Sequence, residues 1–229
     1  MTTLIACSHG TADAVGQACV RALIADVRAM LPAVKVVAAV VDVEQPQIAE
    51  VLAREAQFDD VVVVPLLLSV GYHTAVDISR AVRAHTNAFQ ATPLGTHPLI
   101  TDVLVDRLAA ALQGGWEHGD HVVLAAAGSS NPKALDDVER VVAQLRLRTP
   151  APVSVGYAST ASPRIGDAVE AAREAGARRV IALSHVLAPG FFAGLVGAAG
   201  ADIVSAPLAP DVRIAQVVVD RFQTVLASV

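Results

Sequence analysis

Two histidines and one aspartate are the side chains in this sequence whose types and spacing suit the handling of a metal ion. His9, Asp42 and His73 each come shortly after an apolar run of strand length. Neutral imidazole and carboxylate groups bind divalent transition metals, and imidazole also accepts protons near neutral pH. We expect His73 near the start of a helix, where the helix dipole disfavours a positively charged ring. The three residues therefore predict a site that holds a divalent metal and takes up protons.

The elements that would position these residues alternate between strands and helices. Short apolar runs are followed by longer segments whose apolar residues recur every three or four positions, which is typical of βα units in a parallel sheet. The strands predicted in the first half are Leu4 to Ser8, Lys35 to Asp42, Val61 to Leu67 and Phe89 to Leu94. The predicted helices are Asp13 to Leu31, Pro46 to Ala56, His73 to His85 and Pro98 to Leu112.

The second half of the sequence repeats the first. A glycine-rich linker, Gly114 to Asp120, precedes a new strand at Val122 to Ala126. Motifs recur at offsets of 114 to 119 residues: Gly10-Thr11 with Gly128-Ser129, Pro46 with Pro163, Phe58–Gly71 with Ala177–Gly190, Pro93-Leu94 with Pro207-Leu208, and Asp106-Arg107 with Asp220-Arg221. Such a duplication predicts an α/β protein of two related flavodoxin-like lobes, residues 1–114 and 115–229. Each lobe would be a four-stranded parallel sheet with helices on both faces, and a cleft would separate the lobes.

The duplication also serves as an internal control on the site. Residues that the fold requires should persist in both copies, whereas those of a single site need survive in one. The polar side chains survive only in the first copy, where His9, Asp42 and His73 match Ala127, Ser159 and Phe192. In a sheet of order 2-1-3-4, these three residues follow neighbouring strands, and ligands collect at the carboxyl ends of such strands. We therefore expect the site in the first lobe, with the second lobe closing over it.

Composition excludes several classes of protein. Apolar residues make up 54% and charged residues 17% of the chain, which excludes a disordered protein, and the net charge of −5 argues against nucleic acid. Cys7 and Cys19 form no disulfide framework or metal motif, so a reducing cytoplasm is expected. The uncharged stretch from Val180 to Ala201 contains Pro189 and several glycines, which favours a strand, a turn and a helix over a membrane span.

With these residues in view, the sequence resembles the class II chelatases, in particular sirohydrochlorin chelatases of the CbiX/SirB type. The motifs that carry the resemblance are Cys7-Ser8-His9-Gly10-Thr11, the segment from Val64 to His73 with Asp77-Ile78 beyond it, and Leu94-Gly95-Thr96-His97-Pro98. The resemblance implies insertion of Co(II), Fe(II) or Ni(II) into sirohydrochlorin or a related reduced tetrapyrrole, in cobalamin- or sirohaem-type biosynthesis. Thr11, Asp42 and Ser79 depart from the family pattern, and the choice of metal and tetrapyrrole stays open.

The resemblance also implies roles for single residues. His9 and His73 would deliver the metal and accept protons, while Asp42 would bind the metal or orient an imidazole. The residues expected to contact the tetrapyrrole are Ser8, Gly10, Thr11, Gly71, Tyr72 and Arg80. The metal would be a substrate, with no permanently bound cofactor. Because short members of the family pair as homodimers, the duplication here predicts a monomer.

Other functions and roles remain as alternatives. A non-catalytic tetrapyrrole or metal carrier would share every residue named above. A hydrolase using Ser8 with His9 is disfavoured, because adjacent strand residues point to opposite faces. No nucleotide-binding glycine motif follows any predicted strand. We expect Arg80 and Arg83 either on a solvated helix face or bound to the carboxylates of the tetrapyrrole. The other polar residues are expected in structural roles: His97, Ser129 and Ser130 as helix caps, His85 at a helix end and His185 at a strand end.

Overall fold

The structure, a computed structural model, describes residues 2–69 and 72–228, with the backbone but not the side chains of residues 72–75. The first half contains β1 (Thr2–Ser8), α1 (Ala14–Met30), β2 (Lys35–Val40), α2 (Ile48–Glu55), β3 (Asp60–Pro65), α3 (Tyr72–Arg83), β4 (Ala88–Gln90) and α4 (Pro98–Ala111). The second half contains β5 (Asp120–Ala126), α5 (Pro132–Arg146), β6 (Val153–Tyr157), α6 (Ile165–Glu174), β7 (Arg179–His185), α7 (Phe191–Gly197), β8 (Ile203–Val204) and α8 (Val212–Leu226).

The strands form two parallel sheets with the same order. The first sheet runs β2-β1-β3-β4 and the second runs β6-β5-β7-β8. In the first sheet Ser8 lies opposite Val40, and Cys7 lies opposite Pro65. The carboxyl ends of β1, β2 and β3 therefore meet at one edge. The predicted α/β fold with two related four-stranded parallel sheets is confirmed.

The central strands read as continuous apolar runs because parallel strands are covered on both faces. In β1 the side chains of Leu4 and Ile5 are 0% exposed, and the valines of β3 are buried as well. Cys7 belongs to this core, and burial raises the pKa of its thiol to about 12. The thiol therefore stays protonated and contributes to the packing of the core.

The compact units of the protein do not coincide with the sequence repeats. One unit comprises Met1–Gly95 with Ala209–Val229, and the other comprises Thr96–Leu208. Each repeat thus gives its last helix to the other unit. In the second unit α4 packs on β7 and α5, and in the first unit α8 packs on β3 and α1. The exchange is symmetrical, because β7 and α5 are the repeat equivalents of β3 and α1.

Matching arginines fasten the exchanged helices. Both guanidinium groups donate to the carbonyl oxygens of a Pro-Leu pair within their own unit. Arg107 of α4 donates to Pro207 and Leu208 at 2.9 and 2.8 Å, and Arg221 of α8 donates to Pro93 and Leu94 at 3.0 and 3.1 Å. These are two of the motif pairs that reveal the duplication in the sequence. Their recurrence has a structural cause, since each arginine bonds the Pro-Leu pair of the other repeat.

Several element ends differ from the sequence prediction. The strand β2 ends at Val40 rather than Asp42, although the amides of Val41 and Asp42 still donate to the carbonyls of Ser8 and His9. A sharp turn follows at Val43, which has φ of 69°. The segment from Val180 to Ala201 holds the rest of β7 and the whole of α7, as predicted. Within the described residues, no helix is long and apolar enough to cross a membrane.

Candidate functional site

The turn after β1 exposes one histidine beside a glycine that nothing larger could replace. His9 is exposed directly after the buried Ser8. Gly10 has φ of +95°, and a Cβ atom built there would lie 1.9 Å from the carbonyl oxygen of Asp42. Glycine therefore allows the turn to approach the loop after β2. The Nδ1 atom of the His9 ring lies 3.2 Å from the carbonyl oxygen of Gly10.

The loop after β2 brings Asp42 to the same place. The amide of Asp42 donates to the carbonyl of His9 at 2.9 Å, and the amide of Glu44 donates to the carbonyl of Asp42 at 2.8 Å. Val43, between Asp42 and Glu44, has φ of 69°, so residues 42–44 form a γ-turn. A positive φ is unfavourable for a β-branched residue such as valine. The carboxylate of Asp42 accepts the amide of Val43 at 2.7 Å and remains exposed. Asp42 and His9 are thus neighbours at the sheet edge.

A third set of contacts, which we call the Thr11 clamp, joins the two loops to α1. The amide of Thr11 donates to Oε1 of Glu44 at 2.8 Å. The carbonyl of Thr11 accepts from Nε2 of Gln17 at 2.9 Å. Its hydroxyl accepts from the amide of Asp13 at 3.1 Å, and Asp13 in turn caps α1. The clamp consists of Glu44, Thr11 and Gln17. Glu44 and Gln17 were not among the residues predicted from the sequence.

The remaining predicted site residues lie at the start of α3. Gly71 lies outside the described residues, as do the side chains of Tyr72 and His73. The backbone of Tyr72 and His73 is helical, and the preceding strand β3 pairs with β1. Across the side chains that the structure describes, no group of three or more His, Cys, Asp or Glu could hold a metal. The structure therefore brings His9 and Asp42 together, and the contribution of His73 stays a prediction.

The predicted tetrapyrrole contacts differ in how accessible they are. Ser8 is 8% exposed, so little of its side chain is open to a ligand. The amide, carbonyl and hydroxyl of Thr11 are used within the clamp. The side chain of Arg80 is 75% exposed and pairs with Asp77 at 3.5 Å. Of these residues, Arg80 offers a charged group to the solvent, and all of the tetrapyrrole contacts stay predictions.

Two sequence expectations about helix starts have clear outcomes. His97 caps α4, because its Nδ1 accepts the amide of Leu99 at 3.3 Å, and its repeat equivalent Asp211 caps α8. The expectation that Ser129 and Ser130 cap α5 is wrong. Asn131 is the N-cap of α5, and the buried Ser129 accepts the amide of Asn131 at 3.0 Å. The position of Asn131 corresponds to the capping Asp13 of the first repeat.

His185 ends β7 inside the second unit. It lies opposite Ala126 in the sheet and is 3% exposed. Among the described atoms, its Nε2 is buried without a hydrogen-bond partner. Burial lowers the pKa of the ring to about 4, so the imidazole is neutral at physiological pH. The repeat equivalent in the first unit is Leu66, which is 2% exposed and apolar.

A surface depression of about 600 Å³ lies at the amino ends of the second sheet's strands. Its lining residues are Glu117, His118, Arg178, Arg179 and Asp202. Arg179 is committed to Asp120 and Glu117, and Asp202 pairs with Arg173. Hydrogen bonds from Arg179 hold the pKa of Asp120 below its usual value. This depression is far along the strands from the carboxyl ends where ligands of such sheets bind, and its charges neutralise one another.

Comparisons with known proteins agree with the fold and the repeat. The CbiX family model matches residues 3–111 and 121–225. A sirohydrochlorin cobaltochelatase from Priestia megaterium is 26% identical over 160 residues, covering 64% of this chain and 52% of that protein. The chain therefore spans about half the length of this curated relative.

Solved structures share the architecture at low sequence identity. SirB from Bacillus subtilis with Fe3+ has a TM-score of 0.77 at 17% identity, covering 97% of this chain and 94% of that chain. CbiX, the terminal enzyme for biosynthesis of siroheme in denitrifying bacteria, has a TM-score of 0.70 at 20% identity, covering 97% of this chain and 98% of that chain. These similarities show a common fold that extends over both units.

Proposed function

Because the chain belongs to the CbiX family, we propose that it inserts a divalent metal into sirohydrochlorin or a related reduced tetrapyrrole. The metal would be Co(II), Fe(II) or Ni(II), and the product would feed cobalamin- or sirohaem-type biosynthesis. The observation that carries this proposal is the placement of His9 and Asp42. Both are exposed at adjacent strand ends, and a 2.9 Å backbone hydrogen bond joins them.

The chemistry of metal insertion matches these side chains. The tetrapyrrole must lose its pyrrole N–H protons as its nitrogens take the metal, so the site needs a metal ligand and a proton acceptor. A neutral imidazole at His9 would bind the incoming metal and then accept a proton once the metal has moved to the macrocycle. The carboxylate of Asp42 would offset the positive charge of metal and imidazolium. His73, on the helix after β3, would supply a second imidazole.

The choice of substrate rests on the relatives. The name of the Priestia megaterium protein specifies cobalt and sirohydrochlorin, and the SirB structure contains iron. We extend these substrates to this chain because the family model covers both of its repeats. We also propose that the chain acts as a monomer, since the duplication supplies two sheets within a single polypeptide. Sedimentation at twice 23.6 kDa would contradict the monomer.

The test of the proposed reaction is an anaerobic spectroscopic assay of metal insertion. Sirohydrochlorin is mixed with Co(II), Fe(II) or Ni(II), and absorbance changes are followed for the wild type and for the His9→Ala/His73→Ala variant. We expect insertion above the uncatalysed rate, and a loss of about 100-fold in the variant. A His118→Ala variant, which removes an exposed histidine of the second unit, should keep the wild-type rate.

Three other outcomes would each revise the proposal. A spectral shift on binding without turnover would establish a tetrapyrrole carrier instead of an enzyme. Turnover that survives in the double variant would overturn the assignment of the histidines. If the wild type neither binds nor metallates sirohydrochlorin, the substrate class is wrong.

A further inference from the structure

Two side chains of the Thr11 clamp, those of Glu44 and Gln17, have no equivalent in the second repeat, whereas Thr11 itself is matched by Ser129. The offsets that align the two copies place Leu135 where Gln17 stands and Ala161 where Glu44 stands. Neither Leu135 nor Ala161 has a side chain that forms hydrogen bonds. The clamp was therefore lost, or never present, in the copy that also lacks His9 and Asp42.

The backbone around the clamp is the same in both units. The amide of Ser159 donates to the carbonyl of Ala127 at 2.9 Å, as the amide of Asp42 does to His9. A Cβ atom on Gly128 would lie 2.0 Å from the carbonyl oxygen of Ser159, which matches the close approach of Gly10 to Asp42. The second unit thus forms this pair of loops without the clamp. The fold does not require Glu44, so its persistence in the first copy points to the site.

The geometry of Glu44 shows what it can contribute. Its position lies two residues after Asp42, and its Oε1 reaches back 2.8 Å to the amide of Thr11, two residues after His9. The bond therefore ties together the two chain segments that carry the metal-handling side chains. The carbonyl of Thr11 is held from the other side by Gln17 of α1. Glu44 and Thr11 are both half-buried, which favours a persistent hydrogen bond over one exchanged with water.

We propose that Glu44 is a positioning residue that fixes His9 and Asp42 in a single relative geometry by accepting the amide of Thr11. The proposal deepens the proposed function and rests on it for the identity of the reaction. Glu44 acts through the backbone of the turn, with no contact of its own to metal or tetrapyrrole. What the clamp requires of residue 44 is an oxygen acceptor at the right reach, not a negative charge.

The test compares Glu44→Ala, Glu44→Gln and the control Glu50→Ala. Glutamine keeps a side-chain carbonyl oxygen that can accept the Thr11 amide, whereas alanine does not. Glu50 is an exposed acid on α2, so its removal gives the same change of charge close by. For each variant, kcat and KM of metal insertion, Co(II) affinity by calorimetry, the exchange rate of the Thr11 amide by NMR, and Tm are measured.

We expect Glu44→Ala to lower kcat and weaken Co(II) binding by about 10-fold each, as is typical of residues that orient metal ligands. The Thr11 amide should exchange about 10-fold faster, while KM changes little and Tm stays within a few degrees. Glu44→Gln should restore most of kcat and slow amide exchange again. Glu50→Ala should match the wild type. Gln17→Leu, which installs the residue of the second repeat, should cause a smaller loss of the same kind.

Contrary results separate the two proposals. If Glu44→Gln is as impaired as Glu44→Ala although its Thr11 amide exchanges slowly, the charge of Glu44 is needed and the positioning role is wrong. If Glu44→Ala keeps wild-type kcat and Co(II) affinity, the clamp has no role at the site, while the proposed reaction stands. If the wild type does not insert metal but Glu44→Ala still weakens Co(II) binding and frees the Thr11 amide, the positioning role stands and the proposed reaction falls.

Discussion

Two pairs of loops, after β1 and β2 in the first repeat and after β5 and β6 in the second, have the same backbone conformation. They differ in their side chains, because only the first pair carries ionisable groups at the matched positions His9 and Asp42. Both pairs contain a positive-φ glycine pressed against a carbonyl, and both contain a γ-turn with a β-branched centre, at Val43 and at Thr160. In the second pair the amide of Ala161 donates to the carbonyl of Ser159 at 2.5 Å, as Glu44 does to Asp42. The first pair presents His9 and Asp42, and the second presents no ionisable side chain at these places.

This difference separates what builds the sheet edge from what would act there. Features shared by both units, such as Gly10 with Gly128, meet a steric requirement of two closely packed loops. Features confined to the first unit, namely His9, Asp42, Glu44 and Gln17, are replaced in the second unit, so the fold does not require them. The second unit therefore works as a reference for the first, and substitutions at matched positions measure the two contributions separately.

The largest effect should come from Asp42 against its match, Ser159. Asp42→Ala is expected to lower the rate of metal insertion about 100-fold with little change in Tm, since the carboxylate is exposed. Ser159→Ala removes a 2.8 Å hydrogen bond to the carbonyl of Ala127 and should cost about 1 kcal/mol of stability without loss of activity. Insertion assays and thermal unfolding of both variants test this. Equal losses of activity would end the distinction between the units.

Alanine at the paired glycines should destabilise both units alike. In Gly10→Ala and Gly128→Ala the new methyl group would lie 1.9 and 2.0 Å from a carbonyl oxygen. The alanine would also have to adopt the positive φ of the glycine that it replaces. We expect each to lower the free energy of unfolding by about 3 kcal/mol. Gly115→Ala is the control, because Gly115 has φ of +84° but no atom within 4 Å of a Cβ, and should cost about 1 kcal/mol. Denaturant titrations measure all three, and a control as damaging as Gly10→Ala would exclude the steric explanation.

His185 and Leu66 are a matched pair that should differ in acid. Because burial lowers the pKa of His185 from 6.5 to about 4, the unfolded chain takes up a proton between these values and the folded chain does not. The free energy of unfolding therefore falls as pH decreases from about 6.5 to about 4. His185→Leu should remove this loss. Its free energy of unfolding, compared with that of the wild type, should therefore be about 2 kcal/mol higher at pH 5 than at pH 8. Unfolding curves at both pH values decide this, and parallel pH profiles would contradict it.

The smallest effect concerns the two γ-turns. Val43 and Thr160 are exposed residues with positive φ, at 69° and 57°. Replacing either by glycine removes the backbone strain that a β-branched residue has in this conformation. The relief should exceed the entropy that glycine adds to the unfolded chain, so each variant is expected to gain about 0.5 kcal/mol. Thermal unfolding would detect the gain. A gain at Thr160 and a loss at Val43 would show that Val43 makes contacts in the first unit that Thr160 lacks in the second.

Much of this architecture was open to prediction from the sequence. Alternation of strand and helix patterns, together with motif offsets, gives two parallel sheets, and the order 2-1-3-4 explains why His9 and Asp42 meet. Comparison of the two repeats could have identified Glu44, since Ala161 stands at its matched position in the second repeat. Glu44 was nevertheless not predicted. The control was applied to the ends of strands, and Glu44 lies inside a loop.

Other features had no signal of that kind. An apolar helix face predicts burial but does not specify the sheet that covers it, so the exchange of α4 and α8 could not be derived from periodicity. The prediction placed the end of β2 at Asp42, because the apolar run continues past Val40. The amide of Asp42 does bond the carbonyl of His9, but both residues lie beyond the regular strands. His185 carries no local mark of its environment, since a lone histidine after an apolar run occurs equally at exposed strand ends.

The exchange of helices also determines the order in which the two units can fold during translation. The second unit is continuous from Thr96 to Leu208, so the ribosome delivers it whole. The first unit needs α8, which is synthesised after the whole of the second unit, to cover β3 and α1. Until then, the nascent amino-terminal sheet carries an uncovered apolar face, the kind of surface that chaperones bind. Of the two units, the one whose synthesis starts earlier is therefore the one that is completed later.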